Sequence, residues 1–522
     1  MRRGEMDVTM EQQTFLFELL RIKFGFMACF HYIFVPLTLG LIVCAACMES
    51  AHLWTRDAAW RLASHFWFRL FTLGWLLGLA TGYPLRAQLM EDWGNYFAFI
   101  KPVLDRVLPI EAALGPVMLA GVSAVALFGP RLPPATRMLI AWGLVLAMFC
   151  QSACILAVNA WMQHPLISNE DGGLVHAPTL RELFSNPMAL SKIAHVCSAA
   201  LVCGSTFICV IAATYLYQRA HLPVARVSLR LGIPLGALAT VLVMLTGHFS
   251  ADHVARFQPM KFAAIEGLWK HEDGPAGLIV FARPQSAAQI NRAEIKIPYA
   301  MSVLTGYGLS GSPRGIREEV AEQEGRIREA LSTRPLDAPG APESTALGGY
   351  RELYDRELAH AGRTRSQEEL VHRAALKTVP NVPILFGGFR AMVYIGLCLL
   401  ALYTAALILR RRMLADGHRR LLVMVPGILP LPWLASTSGW IVAEMGRQPW
   451  VVYGYLPTLS GAQLPALEHG VFGTLLVTSL YISLSFLFVL LVLRLVRRGP
   501  GAPLLSASWW LRICGPDRVA TA

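Results

Sequence analysis

The side chains most able to do chemistry sit in apolar surroundings, where charge and ligand atoms are costly. Gly439 to Trp450 reads GWIVAEMGRQPW, and on a helix Trp440, Glu444 and Arg447 fall at i, i+4 and i+7, on one face. Mostly apolar residues precede Glu444, and Pro449 is expected to end the helix, so the acid and the arginine stand near a membrane boundary. Alone, they read equally well as an interfacial ion pair. Of fourteen histidines, only His31 and His195 lie well inside apolar runs, where an imidazole must be hydrogen-bonded, ligate a metal or relay protons. His31 is followed by Pro36, a break that can free backbone groups. His195 has Ser198, Ala199, Gly204 and Ser205 beside it, small enough for a flat ring to approach. Met392, in FGGFRAMVYIG, is a flexible core filler or a thioether ligand. Arg390 points to nearly the opposite azimuth from Met392, yet its arm can reach an anionic group at the helix end. Glu111, in VLPIEAALGPVMLAG, has no base in its own run, so it is either an acid held neutral by desolvation or a functional one.

The elements that position these residues are membrane helices. The chain has 522 residues, of which 55% are hydrophobic and 15% charged, and a mean hydropathy of +0.47. That composition excludes an ordinary soluble protein. Runs able to cross a bilayer lie near 24–48, 66–85, 103–128, 137–161, 187–217, 225–247, 386–410, 421–443 and 470–496, about nine spans. The predicted fold is therefore an all-α polytopic bundle. Its parts are residues 1–247 (six spans), an extramembrane segment 248–385, and residues 386–522 (three spans and a tail). Arginine clusters follow the fifth span (Arg219, Arg226, Arg230), the seventh (Arg410, Arg411, Arg412, Arg419, Arg420) and the ninth (Arg497, Arg498). These mark the cytoplasmic side and put the N-terminus outside and the C-terminus inside. Arg21 and Lys23 run against that rule. The acidic start, with Glu5 and Asp7 beside Arg2 and Arg3, is unlike a cleaved signal, so the first span is expected to be retained.

The net charge of +12 is spent beside apolar spans, so no nucleic-acid partner is expected. Nine of the ten cysteines fall in apolar runs without metal spacing and read as small core residues; Cys514 has no assigned role. Within the long outer segment, residues 248–316 carry aromatics and prolines like an ordered surface, and residues 317–372 read as amphipathic helices on water. With this topology His31, Glu111, His195 and Met392 lie roughly 9–12 Å into spans entered from outside, and Glu444 ends a span leaving there. All five share one level.

The run GW..AE.GRQPW, and nearly the whole chain from LLRIKFGFMACFHYIFVPLTLGL onward, resembles subunit I of cytochrome bd-type quinol oxidases. The resemblance implies that His195 and Met392 hold a low-spin haem b, that Glu444 belongs to a high-spin haem b, and that His31 and Glu111 flank a third haem, d or b, where oxygen binds. It matches Arg21, Arg390, Trp440 and Arg447 to positions near the haems or their propionates. The outer segment looks like the family's quinol loop, with Lys261 and Glu266 of KFAAIE at the positions associated with quinol oxidation; their plain alternative is an i, i+5 surface pair.

The same resemblance implies a quinol:oxygen oxidoreductase of the bacterial inner membrane, reducing O2 to water and building a proton gradient without a pump. Its expected partners are a subunit II and a small single-span subunit. Two departures stand out. Leu119 occupies the place of a second glutamate, so Asn159, Ser152 or water would help carry protons, and Arg86 replaces an expected acid. Two rivals stay open. One is a bd-like haem protein in electron transfer or sensing without oxidase activity. The other is a cofactor-free transporter relaying protons through Glu111, His31 and Glu444.

Overall fold

The computed structural model describes residues 10–165, 178–306, 311–332, 347–361, 365–414, 422 and 425–501. Arg419, Arg420 and Cys514 lie outside them. The chain begins with α1 (Met10–Thr55), α2 (Ala58–Glu91), α3 (Gly94–Phe128) and α4 (Pro134–Gln163). The short α5 (Leu180–Ser185) leads to α6 (Pro187–Gln218) and α7 (Leu222–Phe257). The last helices are α13 (Val382–Leu414), α14 (Leu431–Met445), α15 (Thr458–Gly461) and α16 (Leu467–Arg498). Among the described residues seven helices, α1, α3, α4, α6, α7, α13 and α16, are long and apolar enough to cross a membrane. The expected span 66–85 falls within α2, which carries Arg61 and Arg69 near one end and Arg86 near the other. The expected span 421–443 falls on α14, and part of its start lies outside the described residues.

Helix α1 packs along α6 at a point where neither has a side chain. A Cβ on Gly204 would lie 2.6 Å from the Gly40 Cα, so this close crossing requires glycine on both helices. Around it the largest core gathers Leu41, Phe66, Trp67, Phe71, Leu144 and Ile208. The indole N–H of Trp67 donates to Ser228 at 2.9 Å, which satisfies a polar group that lipid could not. By contrast α16 turns Phe472, Leu475, Ile482 and Phe486 outward, as a helix facing lipid or another apolar surface does.

The outer segment is ordered on its own core. It contains α8 (Pro259–Glu266), a hairpin of β1 (Leu278–Gln285) and β2 (Ile290–Ile297), and α9 (Ala300–Leu304). The helices α10 (Ile316–Ser332), α11 (Gly348–Ala361) and α12 (Gln367–Leu376) come next. Met260, Ile265, Trp269, Val320, Val371 and Phe386 form one cluster that seats these helices on the start of α13. The all-α bundle expectation holds, with two short antiparallel pairs added to it. The antiparallel β1–β2 pair and the short β3 (Trp450–Val452) and β4 (Leu456–Pro457) are formed by β-branched residues flanking turns, a signal that the helical hydropathy of the whole chain overrides. Cys398 is also exposed rather than a core residue, because it lies on an outward face of α13.

Candidate functional site

Five helices meet around Glu444. Its Oε1 accepts from the Asn159 amide at 3.1 Å and its Oε2 from Arg447 at 2.5 Å. Asn159 Oδ1 in turn accepts a short bond from Lys192, and the Lys192 ammonium lies 5.5 Å from the centre of the Trp440 ring, a cation–π contact. Tyr32, beside His31, packs edge-on against the same indole at 5.3 Å. Thus α1, α4, α6 and α14 each bring a polar or aromatic group to one place, α8 adds Lys261 from above, and the carboxylate sits between two cations. The predicted helical face of Trp440, Glu444 and Arg447 holds only in part: α14 ends at Met445, four residues before Pro449. Arg447 reaches Glu444 from the turn beyond. The reason is packing, since a Cβ on Gly446 would meet Lys261 Cε at 2.7 Å.

Lys192 was not singled out by sequence reasoning. Its signal was present: a lone lysine in an apolar run, one helical turn before His195, must find an anionic or aromatic partner.

The two intramembrane histidines have defined ring orientations. Thr81 Oγ1 donates to Leu77 O at 2.9 Å, so toward His31 Nδ1, 3.1 Å away, it accepts. His195 Nδ1 donates to Val243 O at 3.0 Å. In both rings the proton is thereby fixed on Nδ1 and Nε2 keeps its lone pair, the arrangement that ligating histidines use. Each ring edge faces a glycine on a neighbouring helix: a Cβ on Gly82 would lie 3.1 Å from His31 Cε1, and one on Gly247 3.1 Å from His195 Cε1. Met392 Sδ likewise faces Gly439, at 2.8 Å from a would-be Cβ.

Other predicted residues fall elsewhere. Glu111 has Arg86 within electrostatic range, a cation supplied by α2 where sequence reasoning saw none. Leu119 is 56% exposed, on the outward side of α3. Arg21 pairs with Glu18, one turn before it, at 2.8 Å and is not brought to the cluster. Arg390 does reach an anionic group: it binds Glu266 Oε2 at 2.7 Å and Ile279 O, with Phe386 under its guanidinium. Lys261 and Glu266 are no surface pair. They diverge from opposite ends of α8, and both are buried. Lys261 donates to Gln163 Oε1 at 2.9 Å and Ala443 O at 2.8 Å; burial pushes its ammonium well below the usual lysine range, with the cations Lys192 and Arg447 acting the same way. Burial raises the Glu266 carboxyl above its ordinary range, against the opposing pull of Arg390.

Fold and site together define a helical integral-membrane protein in which ligand-type side chains enter one by one from separate helices, beneath a folded outer segment. The chain belongs to the family described as cytochrome bd terminal oxidase subunit I, which matches residues 19–500. It is 31% identical over 503 residues to cytochrome bd-II ubiquinol oxidase subunit 1 of Escherichia coli (strain K12), covering 93% of this chain and 97% of that one. Cytochrome bd ubiquinol oxidase subunit 1 of Bacillus subtilis (strain 168) is 29% identical over 484 residues, 92% of this chain and 93% of that one. In fold it is similar to the bd oxidase structure from Geobacillus thermodenitrificans, with a TM-score of 0.75 at 22% identity over 92% of this chain and 98% of that one.

Membership implies haem, and the residues present fit it. Among the described residues no three His, Cys, Asp or Glu side chains converge as ligands for a bare ion, whereas a porphyrin brings four nitrogens of its own and asks the protein for one or two axial atoms. The bare Nε2 atoms of His31 and His195 and the Met392 thioether are such atoms, each set against a glycine. Arg447 adds buried Nε and Nη1 donors without a partner among the described residues, suited to a propionate.

The glycine contacts give a graded prediction. Gly439→Ala puts a methyl 2.8 Å from Met392 Sδ, closer than such atoms tolerate, and is expected to displace the thioether and, if it ligates haem iron, to shift a haem band in a reduced-minus-oxidised spectrum. Gly247→Ala, at 3.1 Å from a ring carbon, asks for a few tenths of an ångström and is expected to shift it less. Equal spectra for both variants and wild type would remove Met392 as a ligand.

Proposed function

We propose that this chain is the haem-bearing subunit of a quinol:oxygen oxidoreductase, turning two quinols and one O2 into two quinones and two waters. His195 and Met392 would hold a low-spin haem b, Glu444 a high-spin haem b, and His31 with Glu111 a third haem, d or b. Bound haem supplies electron transfer and the open iron position for oxygen. Lys261, Glu266 and the segment between α7 and α13 form the quinol site. What supports this reading is that Nδ1 of both intramembrane histidines is engaged, His31 with Thr81 at 3.1 Å and His195 with Val243 O at 3.0 Å, which leaves Nε2 as the ligand atom of each ring.

The chain's own groups provide the proton chemistry. Arg390 holds Glu266 Oε2, so the carboxylate would take a quinol proton on Oε1, and only when ionised. Because its carboxyl is raised by burial, kcat/KM for quinol is expected to climb with pH through a range above the ordinary carboxylate value. Glu266→Gln removes that acceptor. We expect it to flatten the rise and lower kcat/KM about a hundredfold, at the low end for a lost general base.

The arginine clusters place the N-terminus outside and the outer segment on the extracytoplasmic face of the inner membrane. Protons for water would then enter from the cytoplasm and cross most of the bilayer, with Asn159 holding the last polar position before Glu444 where Leu119 offers none. A gradient arises without a pump. The oxidase would assemble with a subunit II and a small single-span subunit.

A reduced-minus-oxidised spectrum with an oxygen electrode tests the proposal. Haem bands and oxygen uptake on adding quinol are expected. A colourless protein would favour a proton-relay transporter, and haem without quinol-driven uptake would favour an electron-transfer or sensing role.

A further inference from the structure

Where the segment after α7 meets the membrane bundle lies a small cavity with room for about one water, lined by Lys261, Gln323, Thr378, Gln448 and Tyr453 and by the apolar Met260 and Trp450. Lys261 commits two N–H groups to Gln163 and Ala443, leaving the third. Four further polar side chains around one space are what water needs to be held there. Gln323 lies on the buried face of α10, and one turn back on that face stands Glu319, 1% exposed. A carboxyl so deep in an extramembrane segment is unusual, and it is incompletely paired: Oε1 lies 3.2 Å from Arg314 Nε without an aligned hydrogen bond. Arg314 is half exposed, so the ion-pair partner of Glu319 meets bulk water. Tyr453, which lines the cavity, is within electrostatic range of Glu319. The groups facing Glu319 are Arg314, Arg326, Glu318, Glu322 and Tyr453.

We propose that a proton leaving quinol beside Lys261 passes through this cavity to Glu319, which delivers it to the outer solution. The inference rests on the quinol-oxidase reading. Each quinol loses two protons and two electrons as its two O–H bonds break; the electrons go to oxygen through the oxidase, Glu266 receives one proton, and the other takes this route. Glu319 touches neither substrate nor haem, so it acts as a relay. Burial raises its carboxyl, so it releases a proton to the bulk only above the ordinary carboxylate range.

The test uses the whole oxidase in vesicles, driven by a short-chain quinol, with oxygen uptake and external acidification both recorded. Glu319→Gln is expected to lower kcat about a hundredfold, as for a lost proton-transfer group, with KM and the haem spectrum unchanged, and to remove one ionisation from the kcat–pH profile. Glu319→Asp should recover most of the rate. Gln323→Leu, which leaves every charge in place and makes the cavity apolar, should slow turnover in the same way. If Glu319→Gln does not assemble, Gln323→Leu decides. Wild-type kcat and pH profile in an assembled variant of either kind overturn the relay. A wild-type protein that oxidises no quinol instead overturns the reading on which it rests.

Discussion

His195→Ala is expected to yield a folded protein lacking its low-spin haem, with quinol-driven oxygen uptake below about one-hundredth of wild type. Changes to groups that only orient a metal's ligands already cost about 10–100-fold, and this one removes the proposed ligand itself. The fold should survive because alanine is the best helix former and α6 is anchored elsewhere, through Ile208, Ala212 and Tyr215 in the main core. The Thr246 hydroxyl, bonded to Leu242 O at 2.7 Å and 3.3 Å from Val243 O, can turn to the carbonyl that loses the imidazole N–H. Haem content per chain and the absorption spectrum measure the outcome directly. A full complement of haem with an unaltered low-spin band would show that the iron is held by something else.

Arg390→Ala is the largest expected loss of stability. The Arg390–Glu266 pair is buried on both sides, with side chains 9% and 6% exposed, and removing one partner of such a pair typically costs about 3–5 kcal/mol because the other charge is left without compensation. Ile279 O loses its donors in the same step, loosening β1 from α13. Faster proteolysis of the outer segment and a lower melting temperature are the expected readouts.

The pH dependence of that loss is set by the sign of the shift. Without Arg390 the folded carboxyl of Glu266 rises further above its unfolded value, so the folded state binds more protons and stability falls as pH increases. The deficit of Arg390→Ala should therefore appear as pH passes the ordinary carboxylate range and level off above the raised pKa. Adding Glu266→Gln should return most of it, because both charges are then gone. A double variant as unstable as the single would mean that the pair contributes little and that the Ile279 contacts dominate.

Much of the candidate site was legible in the sequence, for a physical reason. A histidine, glutamate or arginine inside a run of leucines and alanines cannot be neutral background, because lipid offers it no hydrogen bonds; His31, His195, Glu111, Glu444 and Arg447 were visible on that ground alone. Spans and arginine clusters were equally plain, since bilayer thickness and orientation act on local composition. The β1–β2 hairpin was not, because its alternating residues compete with a chain that is overwhelmingly helical.

What only the tertiary structure decided is which side chains meet. Local periodicity fixes the face of each helix but not the rotation of one helix against the next. Nothing near His195 in sequence names Val243 or Gly247, and nothing near Glu444 names Asn159 or Lys192. Arg390 shows the limit most clearly. Its reach from α13 was readable, yet its partner is a carboxylate 124 positions away, brought there by the burial of Phe386 and Ile265 in a common core. The cost of placing charge in lipid is written residue by residue in the chain, whereas the compensation for that cost depends on contacts between distant segments and exists only once the helices have packed.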